Sequence, residues 1–164
     1  LCFDNLQVLL LAGAQVQVNE LAQVLAVSLR LRKLDLSYCH LGAVPAADLW
    51  AELKDLAVLF LHRNELSSWD DIHRVTRPPR LEWLTVCDNP IANEPRYRNF
   101  VMQKAPRICA VDAWVASDHE RIHALGLQIG AVGAVPRWGP LVSLARGASS
   151  AEDTLATEPT CNRF

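Results

Sequence analysis

Residues 31–41, L-R-K-L-D-L-S-Y-C-H-L, decide the fold of this chain, because their pattern returns every 25 residues. Leu31, Leu34 and Leu36 are answered downstream by Leu56, Leu59 and Leu61, then by Leu81, Leu84 and Val86, and upstream by Leu6, Leu9 and Leu11. Each block continues at fixed offsets with a small or polar residue (Ala14, Cys39, Asn64, Asn89) and an aliphatic one (Val16, Leu41, Leu66, Ile91). One copy would carry little weight; four in unbroken register over 86 residues set the architecture. Within L-x-x-L-x-L, two-residue alternation points the leucines inward and the residues between them outward on a short strand. The chain then bends, and an Asn-type side chain can bond the backbone groups that the bend would orphan. Asn64 and Asn89 have that capacity and Ala14 does not, so the first turn is expected to be the loosest.

This is the leucine-rich-repeat frame, L-x-x-L-x-L-x-x-N/C-x-L, at a period inside its usual range. It predicts an α/β solenoid, right-handed and curved. A short parallel sheet lines the concave face, helices and turns line the convex face, and a cap closes the C-terminal end. On the return segments, Asn19 reads as the N-cap of a helix through Val27, with Leu21, Val24 and Leu25 inward. Val44-Pro45 reads as a turn before a helix over Ala46–Leu53 that buries Leu49, Trp50 and Leu53. Trp69 and Ile72 stand at helical spacing as core residues, and Pro78-Pro79 stops that helix. Pro95 suits the first turn of a helix to about Lys104, with Tyr97, Phe100 and Val101 on one face. Residues 107–112 echo the strand pattern through Ile108 and Val111. Ser117–Glu120 forms a capping box that opens a helix toward Leu125, with Gly126 as the stop. The expected organisation is one solenoid over residues 1–125, its cap at about 89–125. An irregular tail over 126–164 follows, whose apolar residues either wrap back on the solenoid or meet a partner.

The stretch N-P-I-A-N-E-P-R-Y-R-N-F-V-M-Q-K-A-P-R-I-C-A-V-D, residues 89–112, resembles the C-terminal cap of intracellular leucine-rich-repeat proteins. In that family N-P, then Y-R-x-x-[VI], then a final [LI]-x-x-[LV]-D close the solenoid. More narrowly, residues 49–64, L-W-A-E-L-K-D-L-A-V-L-F-L-H-R-N, are similar to leucine-rich-repeat and IQ-motif-containing ciliary proteins. The resemblance covers about Leu6 to Arg121 and implies a non-enzymatic scaffold that docks a protein partner. The ciliary or flagellar axoneme is its implied place, with axonemal or microtubule-associated partners. A regulatory or assembly subunit of a phosphatase or ribonucleoprotein complex is the alternative. No I-Q-x-x-x-R-G-type motif is present, so calmodulin binding gains no support.

The bulk composition agrees. A formal charge of −2 supplies no basic field toward nucleic acid or an anionic membrane, and neither is an expected partner. The five cysteines are odd in number, scattered and without C-x-x-C, which reads as reduced thiols in a cytoplasmic protein. The chain opens on Leu1 with a repeat at once and no polar end cap, so further repeats are expected upstream.

The outward positions can be ranked in rows across the concave face. The first is Val8, Lys33, Val58, Trp83; the second Leu10, Asp35, Phe60, Thr85; the third Ala12, Ser37, His62, Cys87. Beside them run Gly13, Tyr38, Arg63 and Asp88. Phe60 and Trp83 become diagonal neighbours on strands about 4.8 Å apart, and Val58 and Tyr38 extend them. Exposed aromatics beside arginine are what interface hot spots are made of. The expected partner-binding set is therefore Lys33, Asp35, Tyr38, Val58, Phe60, His62, Arg63, Trp83, Thr85 and Asp88.

Other constellations are weaker. His119 and His123 have a metal-binding spacing but no H-E-x-x-H around them, so no metal or other cofactor is expected. Asp70, Asp71 and His73 read as helix-start charges on the convex side. His62 and Cys87 fall on one concave row, but a thiolate nucleophile also needs an orienting group and an oxyanion site, so no catalytic residue is assigned. The arginines at 74, 77, 80, 96, 98 and 107, with Lys104, could meet an acidic partner or form a solvated face balanced by acids.

Overall fold

The computed structural model describes residues 5–126, so the tail from Leu127, with Cys161, and the first residues, with Cys2, lie outside the described residues. The leucine triplets form the predicted sheet. Its strands β1 (Val8–Leu10), β2 (Lys33–Asp35), β3 (Val58–Phe60), β4 (Trp83–Thr85), β5 (Ala110–Val111) and β6 (Trp114–Val115) lie in chain order. The first five are parallel and β6 runs antiparallel to β5. The 25-residue period becomes the register itself: Leu9, Leu34, Leu59 and Leu84 are lateral partners. Because Cβ atoms alternate, the leucines of every coil stack on one side, and Leu34, Leu36, Leu59, Leu61 and Leu84 are fully buried there. Burying each such side chain contributes about 1.5–3 kcal/mol.

Five short helices return the chain along the other face: α1 (Val18–Val27), α2 (Ala47–Glu52), α3 (Trp69–Val75), α4 (Tyr97–Lys104) and α5 (Asp118–Ala124). Trp50 of α2 fills the space under the second and third coils and satisfies its indole by donating to the Pro45 carbonyl at 3.2 Å. Three boundaries differ from the sequence reading. Helix α1 begins at Val18 with Gln17 as N-cap, not at Asn19, because Glu20 accepts the Gln17 amide at 3.2 Å and so serves the earlier start. The Pro95 helix begins only at Tyr97; a 3₁₀ turn over Pro90–Asn93 precedes it, and Pro95 stands before the Arg96 cap. The extended piece after Arg107 turns back through Asp112-Ala113 into β6, a hairpin absent from the sequence reading. The Ser117–Glu120 box is present as expected, with Ser117 Oγ accepting from the Glu120 amide at 3.2 Å. Gly126 takes the left-handed φ of +67° that ends α5.

The polar ladder runs backward, from each coil to the one before. Asn64 Oδ1 accepts from the Cys39 and Leu41 amides, both at 3.0 Å, and its Nδ2 donates to the Leu36 and Leu61 carbonyls, both at 2.8 Å. Asn89 repeats the pattern toward the Leu66 amide and the Leu61 and Val86 carbonyls. Cys39, at the same position, donates its thiol to the Leu11 carbonyl at 3.1 Å. The first coil does pack more loosely, with Leu6, Leu9, Leu11 and Val16 only partly buried. Its turn is nevertheless closed, by Ala14 N donating to Leu11 O at 2.9 Å and by Cys39 from the next coil. Among the described residues β1 pairs on one side only, and that, rather than the missing Asn, leaves its leucines open.

Candidate protein-docking face

The outward residues come together as the register dictates. Val8, Lys33, Val58 and Trp83 are successive lateral partners, as are Leu10, Asp35, Phe60 and Thr85. A line of rings crosses the middle coils. Tyr38 meets His62 edge-on at 5.5 Å, His62 lies 6.2 Å from Phe60, and Phe60 meets Trp83 edge-on at 6.0 Å. Two cations sit on this line: Lys33 Nζ lies 5.0 Å from the Phe60 ring centre and Arg63 lies 5.1 Å from that of Tyr38. Tyr38 and Trp83 stay 44% and 46% exposed, while Val58, Phe60 and Lys33 are half-buried beside them.

Polar contacts hold the remaining members. Asp35 turns to its own bend, accepting from the Ser37 amide at 3.0 Å and the Ser37 hydroxyl at 2.6 Å. Arg63 pairs with Asp88 at 3.0 Å, and His62 Nδ1 lies 3.1 Å from Thr85 Oγ1. The imidazole is thus engaged by Thr85.

The row at Gly13, Tyr38, Arg63 and Asp88 has a backbone property that its sequence conceals. All four take left-handed φ, +75°, +59°, +56° and +58°. The bend after each strand demands it, and only the first coil meets it with glycine, which adopts it freely.

The cap extends this face beyond the residues anticipated. Ala110 is the lateral partner of Trp83 and Val115 that of Ala110, so both continue the first row, with Val115 78% exposed. Asp112 Oδ1 accepts from the Val86 and Cys87 amides at 2.7 and 2.8 Å, sealing the end of β4 as an asparagine would. Burial raises its pKa against the pull of those two amides and of Arg98. Burial, and the Asp112 charge after it, push the Tyr97 phenol well above its usual range. Arg98 ties the hairpin down, donating to Glu120 at 2.8 Å and to the Val111 and Val115 carbonyls at 2.9 and 3.1 Å. Burial opposes charge on Glu120, but Arg98 and the Ser117 amide and hydroxyl outweigh it and hold the carboxyl at about 2. The V-D pair at the end of the cap stretch was the sequence signal for this arrangement; the antiparallel β6 had none.

Asp71 stands in the first turn of α3 as read, and it is also buried there: it accepts from the Val44 amide at 3.2 Å and pairs with Arg74 at 3.6 Å, joining the second and third coils. One reading on this helix is corrected. Trp69 is not core: it is 37% exposed and lies against Phe100 at 5.0 Å. Burying Ile72 and Val75 turns this end of α3 outward. His119 and His123 lie exposed on α5, and among the described residues no cluster of three or more His, Cys, Asp or Glu could hold a metal. No helix among them is long and apolar enough to cross a membrane.

Comparison with known proteins follows the same lines. No family model matches the chain. Leucine-rich repeat and IQ domain-containing protein 3 of Homo sapiens is 32% identical over 94 residues, which are 57% of this chain and 15% of that protein. Leucine-rich repeat-containing protein 51 of Rattus norvegicus is 32% identical over 91 residues, 56% of this chain and 46% of that one. The chain thus spans less than half the length of these curated relatives. Among solved structures, the Drosophila melanogaster SNF/U2A′ complex matches with a TM-score of 0.55 at 23% identity, covering 59% of this chain and 55% of that one. The Chaetomium Mex67:Mtr2 subunits match with a TM-score of 0.56 at 17% identity, covering 73% and 88%. Both support the fold alone. Repeat frame, register and polar ladder converge on one fold, a leucine-rich-repeat solenoid with a parallel sheet, similar in sequence to these leucine-rich-repeat relatives.

Proposed function

We propose that this chain is a non-enzymatic scaffold that docks a protein partner on its concave face, as a structural component of the ciliary or flagellar axoneme. The carrying observation is the line of rings from Tyr38 through His62 and Phe60 to Trp83, half open to solvent and edged by Lys33 and Arg63. Such a patch supplies apolar area from rigid side chains on a sheet already ordered, which limits the entropy lost on association. Aromatic anchors of this kind commonly cost about 2 kcal/mol or more each when truncated. The axonemal placement rests on the sequence likeness to the leucine-rich repeat and IQ domain-containing relative.

The ribonucleoprotein alternative leans on the basic residues of the convex side and cap. Several are already engaged: Arg74 by Asp71, Arg80 by Asp55 and Arg98 by Glu120 and three backbone carbonyls. Each of these pairs would have to be given up before its cation could release counterions from a nucleic acid.

Crosslinking mass spectrometry in extract of the protein's own cells, beside a Phe60→Asp, Trp83→Asp double variant, tests the docking reading. Axonemal proteins joined to the concave rows and lost in the variant are the expected result. Partners that survive the double substitution would remove the concave face from the docking site.

A further inference from the structure

Helices α3 and α4 build a second surface, on the face of the solenoid opposite the concave rows. Trp69 and Phe100 meet at 5.0 Å and line an open groove of about 610 Å³ with Arg96, Asn99 and Gln103. Spacing by three and four places Arg96, Asn99, Phe100 and Gln103 on one face of α4 and its cap. Lys104 continues that face, its Nζ 5.6 Å from the Phe100 ring centre. No acid lines the groove, α4 contains none, and neither Arg96 nor Lys104 forms an ion pair among the described residues. The acids nearest in sequence, Asp70 and Glu94, are exposed and outside the lining. The side-chain amides of Asn99 and Gln103 form no hydrogen bond among the described residues, so each presents both donors and an acceptor to the groove. The surface thus combines two rings, two unused amides and two unmatched cations.

The spacing of these groups sets what fits. Arg96 and Lys104 are eight residues apart, which is about 12 Å along the helix axis. An extended chain rises about 3.3 Å per residue, so carboxylates four residues apart in it span about 13 Å. Asn99 and Gln103 stand about 6 Å apart along the axis, close to the two-residue interval at which an extended chain presents backbone groups on one side. We propose that this groove binds an extended segment of a partner protein of the form acid-x-apolar-x-acid. The apolar side chain lies against Trp69 and Phe100, the backbone bonds to Asn99 and Gln103, and the two carboxylates meet Arg96 and Lys104. A helical segment fits worse, because its backbone groups are spent internally and both amides would stay unmatched. The site faces away from the concave rows, so it takes its segment without competing for that surface.

Two tryptophans make the test direct, because Trp69 reports the groove and Trp83 the concave face. The full chain, isotope-labelled, is titrated with the peptide acetyl-S-E-T-L-T-E-S-amide while the indole N–H signals are followed by nuclear magnetic resonance. Each signal is assigned by a Trp→Phe substitution. The Trp69 signal is expected to move saturably and the Trp83 signal to stay. Arg96→Gln and Lys104→Gln are each expected to weaken binding by up to about fivefold, the upper end for an exposed ion pair. Exchanging the peptide leucine for serine is expected to weaken it at least about tenfold, as for loss of an apolar anchor. Arg96→Glu combined with Lys104→Glu is expected to reject this peptide and to take acetyl-S-K-T-L-T-K-S-amide instead, a gain that an unfolded protein could not show. Circular dichroism of each variant checks that the solenoid is intact. The proposal is overturned if Trp69 does not respond up to about 5 mM peptide, above the weakest range of specific affinity. It is equally overturned if Trp83 moves in place of Trp69, or if a peptide with glutamine for both acids binds as tightly. A Trp69 signal that moves when the protein alone is concentrated would give the groove to a second copy of the chain and overturn it too.

Discussion

The first and third coils follow one sequence frame but differ in what secures them. In the third coil Leu59 is fully buried between two paired strands, and Asn64 makes four hydrogen bonds to its own and the preceding coil. In the first, Leu9 is only partly buried, Ala14 supplies no polar side chain, and Gly13 takes the bend without strain. A repeat position therefore has no fixed energetic worth. It is set by how many neighbours the register brings to it, and the ladder side chain serves the coil before its own.

The sharpest test of that contrast is a matched pair of truncations. Leu59→Ala is expected to cost about 2–5 kcal/mol in urea unfolding, the range for a fully buried leucine, and Leu9→Ala about 1 kcal/mol. Equal losses would show that position in the frame, rather than neighbours, sets the cost. Next, Asn64→Ala would orphan two buried amides and the Leu36 carbonyl, while Asn89 still donates to Leu61, and is expected to lose about 2–3 kcal/mol. Its counterpart Ala14→Asn is expected to change stability by less than about 0.5 kcal/mol, as at an ordinary surface site.

A smaller effect is expected at the cap, where the same sealing job falls to different chemistry. Arg98→Ala is expected to cost about 1–2 kcal/mol near neutral pH, because the clamp is partly exposed. The sign of its pH dependence follows from Glu120, whose carboxyl is held down from 4.5 to about 2. A depressed carboxylate contributes stability above its unfolded pKa and loses it as pH falls through the folded value. The gap between wild type and Arg98→Ala should be full at pH 6 and narrow between about pH 4.5 and 2, leaving the part carried by the Val111 and Val115 carbonyls. Asp112, which Arg98 also pulls down, works in the same direction. A gap that is unchanged down to pH 2 would mean that Arg98 acts through its bonds to the Val111 and Val115 carbonyls and not through Glu120.

The smallest expected difference lies in the left-handed row. Gly13→Ala imposes φ of +75° on a side-chain-bearing residue in open space and is expected to cost about 1 kcal/mol. Arg63→Gly relieves the same strain but forfeits the Asp88 pair and the Tyr38 contact, so thermal unfolding should show a change near zero.

The sheet and the convex helices were legible in the sequence, but not everything that the convex side buries. A 25-residue repeat translates into lateral register without further information, so the pairing of Phe60 with Thr85 and the approach of Phe60 to Trp83 followed from counting. Trp69 was misplaced because helical spacing names a face but cannot say which part of it the neighbouring coil covers. Asp71 was read correctly as a helix-start charge, but its burial was not legible, because the Val44 amide that it serves lies one coil back. The β6 hairpin escaped because two-residue strands carry no periodicity.

By itself the sequence determined the solenoid, its register, the asparagine ladder and the outward rows, because these depend on a period and on alternation along single strands. The tertiary structure alone decided that Ala110 and Val115 extend the concave face. It also decided that Tyr38, Arg63 and Asp88 bear left-handed strain and that Trp69 and Phe100 form a surface groove. These depend on contacts between segments about 25 residues apart, where burial is settled by what lies alongside and not by what comes next in the chain.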